Sequence, residues 1–146
     1  MTPTFLRSAF AAVTCFTALA LAGPAFAEMV NLKAALNGAA EVPPNPTTAT
    51  GTVTATYDTV TKKLSWKGSY TGLSGVPSAA HFHTGEAGKN GGVAVPIFAG
   101  ATAKSPFEGE ATLTDAQAAD LLAGKLYANI HTEANKAGEI RGQLVK

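Results

Sequence analysis

The chain is predicted to fold as an all-β domain, an antiparallel Greek-key β-sandwich or barrel of about seven or eight strands with one short helix at about 114–123. Three observations carry that expectation. Apolar and polar residues alternate with a period of two from Val30 onward, most clearly in Thr52-Val53-Thr54-Ala55-Thr56-Tyr57 and Leu64-Ser65-Trp66-Lys67-Gly68-Ser69-Tyr70. That spacing turns every second side chain toward a core, and the β-branched residues suit a pleated, half-buried surface. Turn-formers separate the alternating runs at Pro43-Pro44-Asn45-Pro46, from Gly72 to Pro77, from Gly85 to Gly92 and from Gly100 to Pro106. Only one segment departs from the pattern: Thr114-Asp115-Ala116-Gln117 has the spacing of a capping box, and Gly124 supplies a helix stop.

In chain order the strands are expected at 30–36, 52–57, 64–70, 79–84, 93–98, 107–113, 126–132 and 139–145. Lys62 and Lys63 mark the turn between the second and third strands. In the helix, Ala118, Leu121 and Leu122 fall on one side. Glu108 and Glu110 share one strand face, where charge discourages edge-to-edge aggregation. Trp66 and Tyr127 read as core or sheet-face aromatics.

Residues 1–27 read as a secretory signal peptide. Arg7 is their one charge, an apolar run follows from Ala9 to Ala22, and Gly23-Pro24 breaks any helix before the small-x-small site Ala25-Phe26-Ala27. Cleavage there leaves residues 28–146 as a single domain, periplasmic or secreted, with no stable membrane insertion. The one cysteine of the chain, Cys15, goes with the signal. No disulfide and no thiolate ligand or nucleophile then remains.

The 146 residues carry 11 Lys and Arg against 10 Asp and Glu, a net charge of +1. Without Arg7 the charges balance. A nucleic-acid partner needs a surplus of cations to displace counterions from phosphates, so none is expected. The motifs of phosphate-binding loops, dinucleotide folds, zincins and nucleophile elbows are absent from the sequence.

Candidate chemistry centres on three histidines. His81-Phe82-His83 lies in a predicted strand, so both imidazoles project from the face opposite Phe82. In Leu126-Tyr127-Ala128-Asn129-Ile130-His131 the apolar set is Leu126, Ala128 and Ile130, which turns Asn129 and His131 outward, with Glu133 following if the strand continues. In the last strand Ile140, Gly142 and Leu144 face in and Glu139, Arg141 and Gln143 face out. His81, His83, His131 and Arg141 thus decorate outer faces. Strand order, which parity does not supply, decides whether those faces coincide. If they do, three imidazoles form a copper or zinc site, with Arg141 and Glu133 beside it as anion-orienting or imidazole-supporting groups.

Several motifs in order resemble the CHRD domain family. They are Glu41-Val42-Pro43-Pro44 with Ala49-Thr50-Gly51-Thr52, Ala79-Ala80-His81-Phe82-His83-Thr84-Gly85, and Asn90-Gly91-Gly92 before Val95-Pro96. The run from Leu122 to Thr132 and the segment Gly138-Glu139-Ile140-Arg141-Gly142-Gln143-Leu144 complete the series. The resemblance spans about residues 32 to 145 and implies an all-β domain of modest size, exported in bacterial members. A weaker likeness, of geometry, is to copper–zinc superoxide dismutase, where a strand His-x-His holds copper outside a Greek-key barrel with an Arg nearby. This chain lacks a fourth histidine, a bridging histidine and the cysteine pair. The functional expectations are therefore metal storage, delivery or buffering, then a metal-free module that binds an exported protein or a glycan, and last a dismutase-like redox activity.

Overall fold

The computed structural model describes residues 28–100 and 103–146, so the signal-peptide segment 1–27 and its cysteine lie outside the described residues. Eight strands are present: β1 (Met29–Asn37), β2 (Thr50–Asp58), β3 (Lys63–Thr71), β4 (Pro77–Thr84), β5 (Val93–Ala99), β6 (Phe107–Thr112), β7 (Leu126–Thr132) and β8 (Ile140–Gln143). One α-helix, α1 (Asp115–Leu122), lies between β6 and β7. Each expected strand and the helix are found within a few residues of their anticipated limits.

Alternation explains the strands directly. Along β1 the buried residues are Val30, Leu32, Ala34 and Leu36, every second position without exception. The hairpin from β2 to β3 turns where the Asp58 carboxylate accepts from the amides of Val60 and Thr61, at 2.8 and 3.1 Å. Helix α1 starts as a complete capping box. Thr114 Oγ1 accepts from the Gln117 amide at 3.2 Å, and Gln117 Oε1 accepts from the Thr114 amide at 2.9 Å. The Gln117 side-chain amide also donates to the Ala94 carbonyl at 2.8 Å, pinning the helix to β5.

All pairings are antiparallel and join the strands into one sheet in the order β5-β4-β7-β8-β1-β2-β3-β6. The sheet curls into a nearly closed barrel. Its two outermost strands, β5 and β6, approach each other, and Phe98 packs edge-on against Phe107 with ring centroids 5.3 Å apart. The edges are blunted. Pro96 in β5 has no amide to donate, while Glu108 and Glu110 of β6 pair with Lys67 and Lys63 of β3 at 3.6 and 3.0 Å.

The barrel interior holds the core, including Leu64, Trp66, Phe82, Ile130, Ile140 and Leu144. Phe82 is fully buried and makes a T-shaped contact with Trp66 at 5.2 Å. Because Phe82 points inward, its neighbours His81 and His83 point outward. Strands β7 and β8 depart from simple alternation, being buried on both faces over most of their length. Their outer faces are covered by three loops, residues 41–49, 85–92 and 133–139.

Phe82→Ala is expected to cost about 3–5 kcal/mol, since it empties a closed-packed site facing Trp66. Urea unfolding of the two proteins measures this; a loss below about 1 kcal/mol would show that the inner face of β4 repacks freely.

Candidate metal centre

The order β4-β7-β8 brings the outward faces of three strands together. In the β4–β7 register His83 lies opposite Tyr127, His81 opposite Asn129 and Ala79 opposite His131. His131 is therefore the diagonal neighbour of His81, a separation that large side chains bridge readily. The three rings meet, with centroids 5.1 Å apart for His81–His131, 5.4 Å for His81–His83 and 5.8 Å for His83–His131. One ligand nitrogen from each lies within 4.8 Å of the others. Nitrogens bound to one tetrahedral ion at 2.0–2.1 Å are about 3.3 Å apart, so His81 Nδ1 and His131 Nε2, at 3.2 Å, already have the required spacing. The remaining pairs lie within 4.8 Å and have to draw closer to share one ion.

The protonation pattern follows from the acceptors around the rings. His83 Nδ1 lies 3.1 Å from the Gly91 carbonyl oxygen and His131 Nδ1 lies 3.0 Å from that of Lys136. A carbonyl oxygen can only accept, so each Nδ1 carries the proton and each Nε2 keeps its lone pair in the neutral ring. The Nε2 of His83 is buried and has no hydrogen-bond partner among the described residues. Desolvation lowers the pKa of all three histidines, and their mutual proximity lowers those of His81 and His131 further. These rings are consequently neutral, and able to act as ligands, to a lower pH than free imidazole.

The loops that supply those carbonyls are themselves held. Gly91 is required where it stands, because a Cβ there would lie 1.4 Å from the Thr84 carbonyl oxygen. Its amide donates to the Tyr127 hydroxyl at 3.1 Å, and the Tyr127 ring stacks on His83 at 5.1 Å. Loop 41–49 joins the other two: Asn90 Nδ2 donates to the Val42 carbonyl and Asn45 Nδ2 to Asn135 Oδ1, both at 2.9 Å.

Of the predicted supporting groups, Arg141 lies behind Tyr127, the ring that stacks on His83, and Glu133 is exposed. Arg141 is only 2 % exposed, with its guanidinium 3.4 Å above the Tyr127 ring. It donates to Asn90 Oδ1 at 3.1 Å and to the carbonyls of Lys89 and Glu86. Glu133 is exposed and pairs with Lys136 at 3.8 Å, three residues along the same loop.

Two carboxyls not singled out from the sequence are buried here. Glu139 is fully buried. Burial pushes its pKa up, but donors from Thr132, Ser74 and Thr47 outweigh that and hold it at about 2. Glu41 is 7 % exposed and takes a single side-chain donor, Asn129 Nδ2 at 2.6 Å. Desolvation prevails over that bond and the Arg141 charge, and its pKa rises to about 7. It lines a cavity of about 150 Å³ together with His83, Asn90, Tyr127, Asn129 and Arg141. Parity alone places Glu139 on the outer face; nothing in the sequence shows that loops cover it.

A carboxyl whose pKa is higher in the folded than in the unfolded chain loses stabilising effect as pH rises. For Glu41 that window runs from about 4.5 to beyond about 7. The stability of Glu41→Gln relative to the parent is thus expected to improve by about 2 kcal/mol between pH 5 and pH 8, read by chemical denaturation at both values. An unchanged difference would mean that Glu41 ionises as freely folded as unfolded.

Among curated proteins and solved structures none matches the chain. A family model does: that of the CHRD domain, over residues 32–144, which takes in β1 from Leu32 onward, the other seven strands, helix α1 and all three histidines. On that match the chain belongs to the CHRD domain family.

Proposed function

We propose that this CHRD-domain protein is exported and binds one copper or zinc ion through His81, His83 and His131, for storage, delivery or buffering of the metal. The observation that carries the reading is the shared focus of the three imidazoles. Two of them are fixed in the Nδ1–H tautomer, and a desolvated Nε2 lone pair on His83 is left unused. A buried acceptor without a donor is costly in a metal-free fold, and a cation satisfies it. Neutral imidazoles without thiolate suit Cu(II) and Zn(II), and copper binds more tightly where both compete.

Three protein ligands leave a coordination position open, which suits exchange of the ion with a partner as well as it suits chemistry. Dismutase-like turnover draws less support. Arg141, the candidate guide for an anion, is buried and turned onto Asn90 and the loop carbonyls. Export rests on the signal-like segment 1–27.

Titration of the metal-free protein with Cu(II), and separately Zn(II), is expected to show one saturable site. Its affinity should fall at least about 100-fold in the triple variant H81A/H83A/H131A. Thermal stability of the parent should rise with free metal, by about 2.7 kcal/mol at one hundred times the dissociation constant. Weak, non-stoichiometric uptake that is equal in parent and variant would sink the proposal.

A further inference from the structure

The two buried charges that flank Ile140 stand in parallel relation to two of the three imidazoles. Glu139 braces loop 133–138 from below: Oε2 accepts from Thr132 Oγ1 at 2.7 Å and from Asn135 Nδ2 at 3.2 Å. Its carboxylate also accepts from the amide and hydroxyl of Ser74, at 2.8 and 2.7 Å, and from Thr47 Oγ1 at 2.9 Å. The loop so anchored turns the Lys136 carbonyl onto His131 Nδ1. Arg141 braces loop 85–92 in the same way, through Asn90 Oδ1 and the carbonyls of Glu86 and Lys89. That loop turns the Gly91 carbonyl onto His83 Nδ1.

We propose that Glu139 and Arg141 are positioning residues, each setting the tautomer and ring orientation of one histidine through its own loop: Glu139 for His131 and Arg141 for His83. Neither touches an imidazole nitrogen in the hydrogen-bond network. The purpose assigned to this arrangement, presenting Nε2 lone pairs to a metal, rests on the metal-binding reading above; the arrangement itself does not.

The spatial logic is that of a ligating imidazole whose far nitrogen is tied to an oxygen acceptor, with the acceptor tied in turn. Backbone carbonyls on loops make poor fixed acceptors unless the loop is immobilised. A carboxylate with several donors and a guanidinium with a planar fork are the side chains best able to do so from a buried strand. The chain supplies both at the entry to β8, Glu139 immediately before the strand and Arg141 two residues later within it, with the same parity.

The test is long-range proton–nitrogen NMR of the metal-free, isotopically labelled protein near pH 8, which reads the protonated nitrogen of each ring. In the parent, His83 and His131 are both expected as the Nδ1–H form. Arg141→Lys should release His83 toward Nε2–H and leave His131 unchanged; Glu139→Gln should do the reverse. Should either variant fail to fold, Asn90→Ala and Asn135→Ala remove the corresponding loop contact and carry the same crossed comparison. Each variant is also expected to lower Cu(II) or Zn(II) affinity by about 10–100-fold. A general loss of packing moves both rings together. That outcome, or no tautomer change in any variant, would overturn the proposal. A parent that shows the crossed pattern yet takes up no metal supports the positioning roles and refutes only the metal-binding reading.

Discussion

Strand β7 is hydrogen-bonded to β4 on one side and β8 on the other, and the geometry of the site depends on that placement. The β4 register aligns His83 with Tyr127 and sets His131 diagonally across from His81. The β8 register aligns Asn129 with Arg141 and Tyr127 with Gln143. Since side chains alternate between faces, a slip of one residue on either side would send half of these groups into the barrel core. The inner face resists any slip, because Phe82, Ala128, Ile130 and Ile140 are all buried there. Packing of the core thus holds the outer face in register, and the imidazoles inherit their positions from residues they never touch.

The outer face of β7 and β8 is itself dry, an uncommon state for one side of an antiparallel sheet. Polar side chains there require partners, and the structure supplies them unevenly. Glu139 gathers donors from three elements of the fold and stays ionised despite complete burial. Glu41, with one side-chain donor, shifts toward its neutral form instead. The two carboxyls share a chemistry and differ in the number of hydrogen bonds offered to the charged state, which decides the direction of each shift. Arg141 resolves the same difficulty with loop oxygens and an aromatic face.

Family membership fixes the fold more firmly than the role. The CHRD match covers all but the first three residues of the barrel strands, whereas the site rests on three nitrogens and the carbonyls behind them. Those carbonyls come from loops of quite different make-up. One needs glycine where its backbone crosses Thr84, and the other is organised around Asn135, whose amide and side chain both bond to Thr132. A common outcome from unlike loops points to the imidazole orientation, and not to the loop conformation, as the feature being held.

Local chemistry settled much of this protein without any tertiary knowledge. Period-two alternation located the strands, the Thr114–Gln117 pair located the helix, and parity turned His81, His83, His131 and Arg141 outward. Those properties depend on neighbours in the chain, and a strand's own pattern encodes them. Which outward faces coincide is a matter of pairing between segments some fifty residues apart, as for His81 and His131. Alternation is the same whichever strand lies alongside, so only the folded sheet could decide it. Likewise, the covering loops left no trace in the alternating pattern from residue 139 onward, where Glu139 and Arg141 look like solvent-facing charges. Their burial, and with it the support of the imidazoles, arises from backbone and side-chain groups that converge only when the barrel closes.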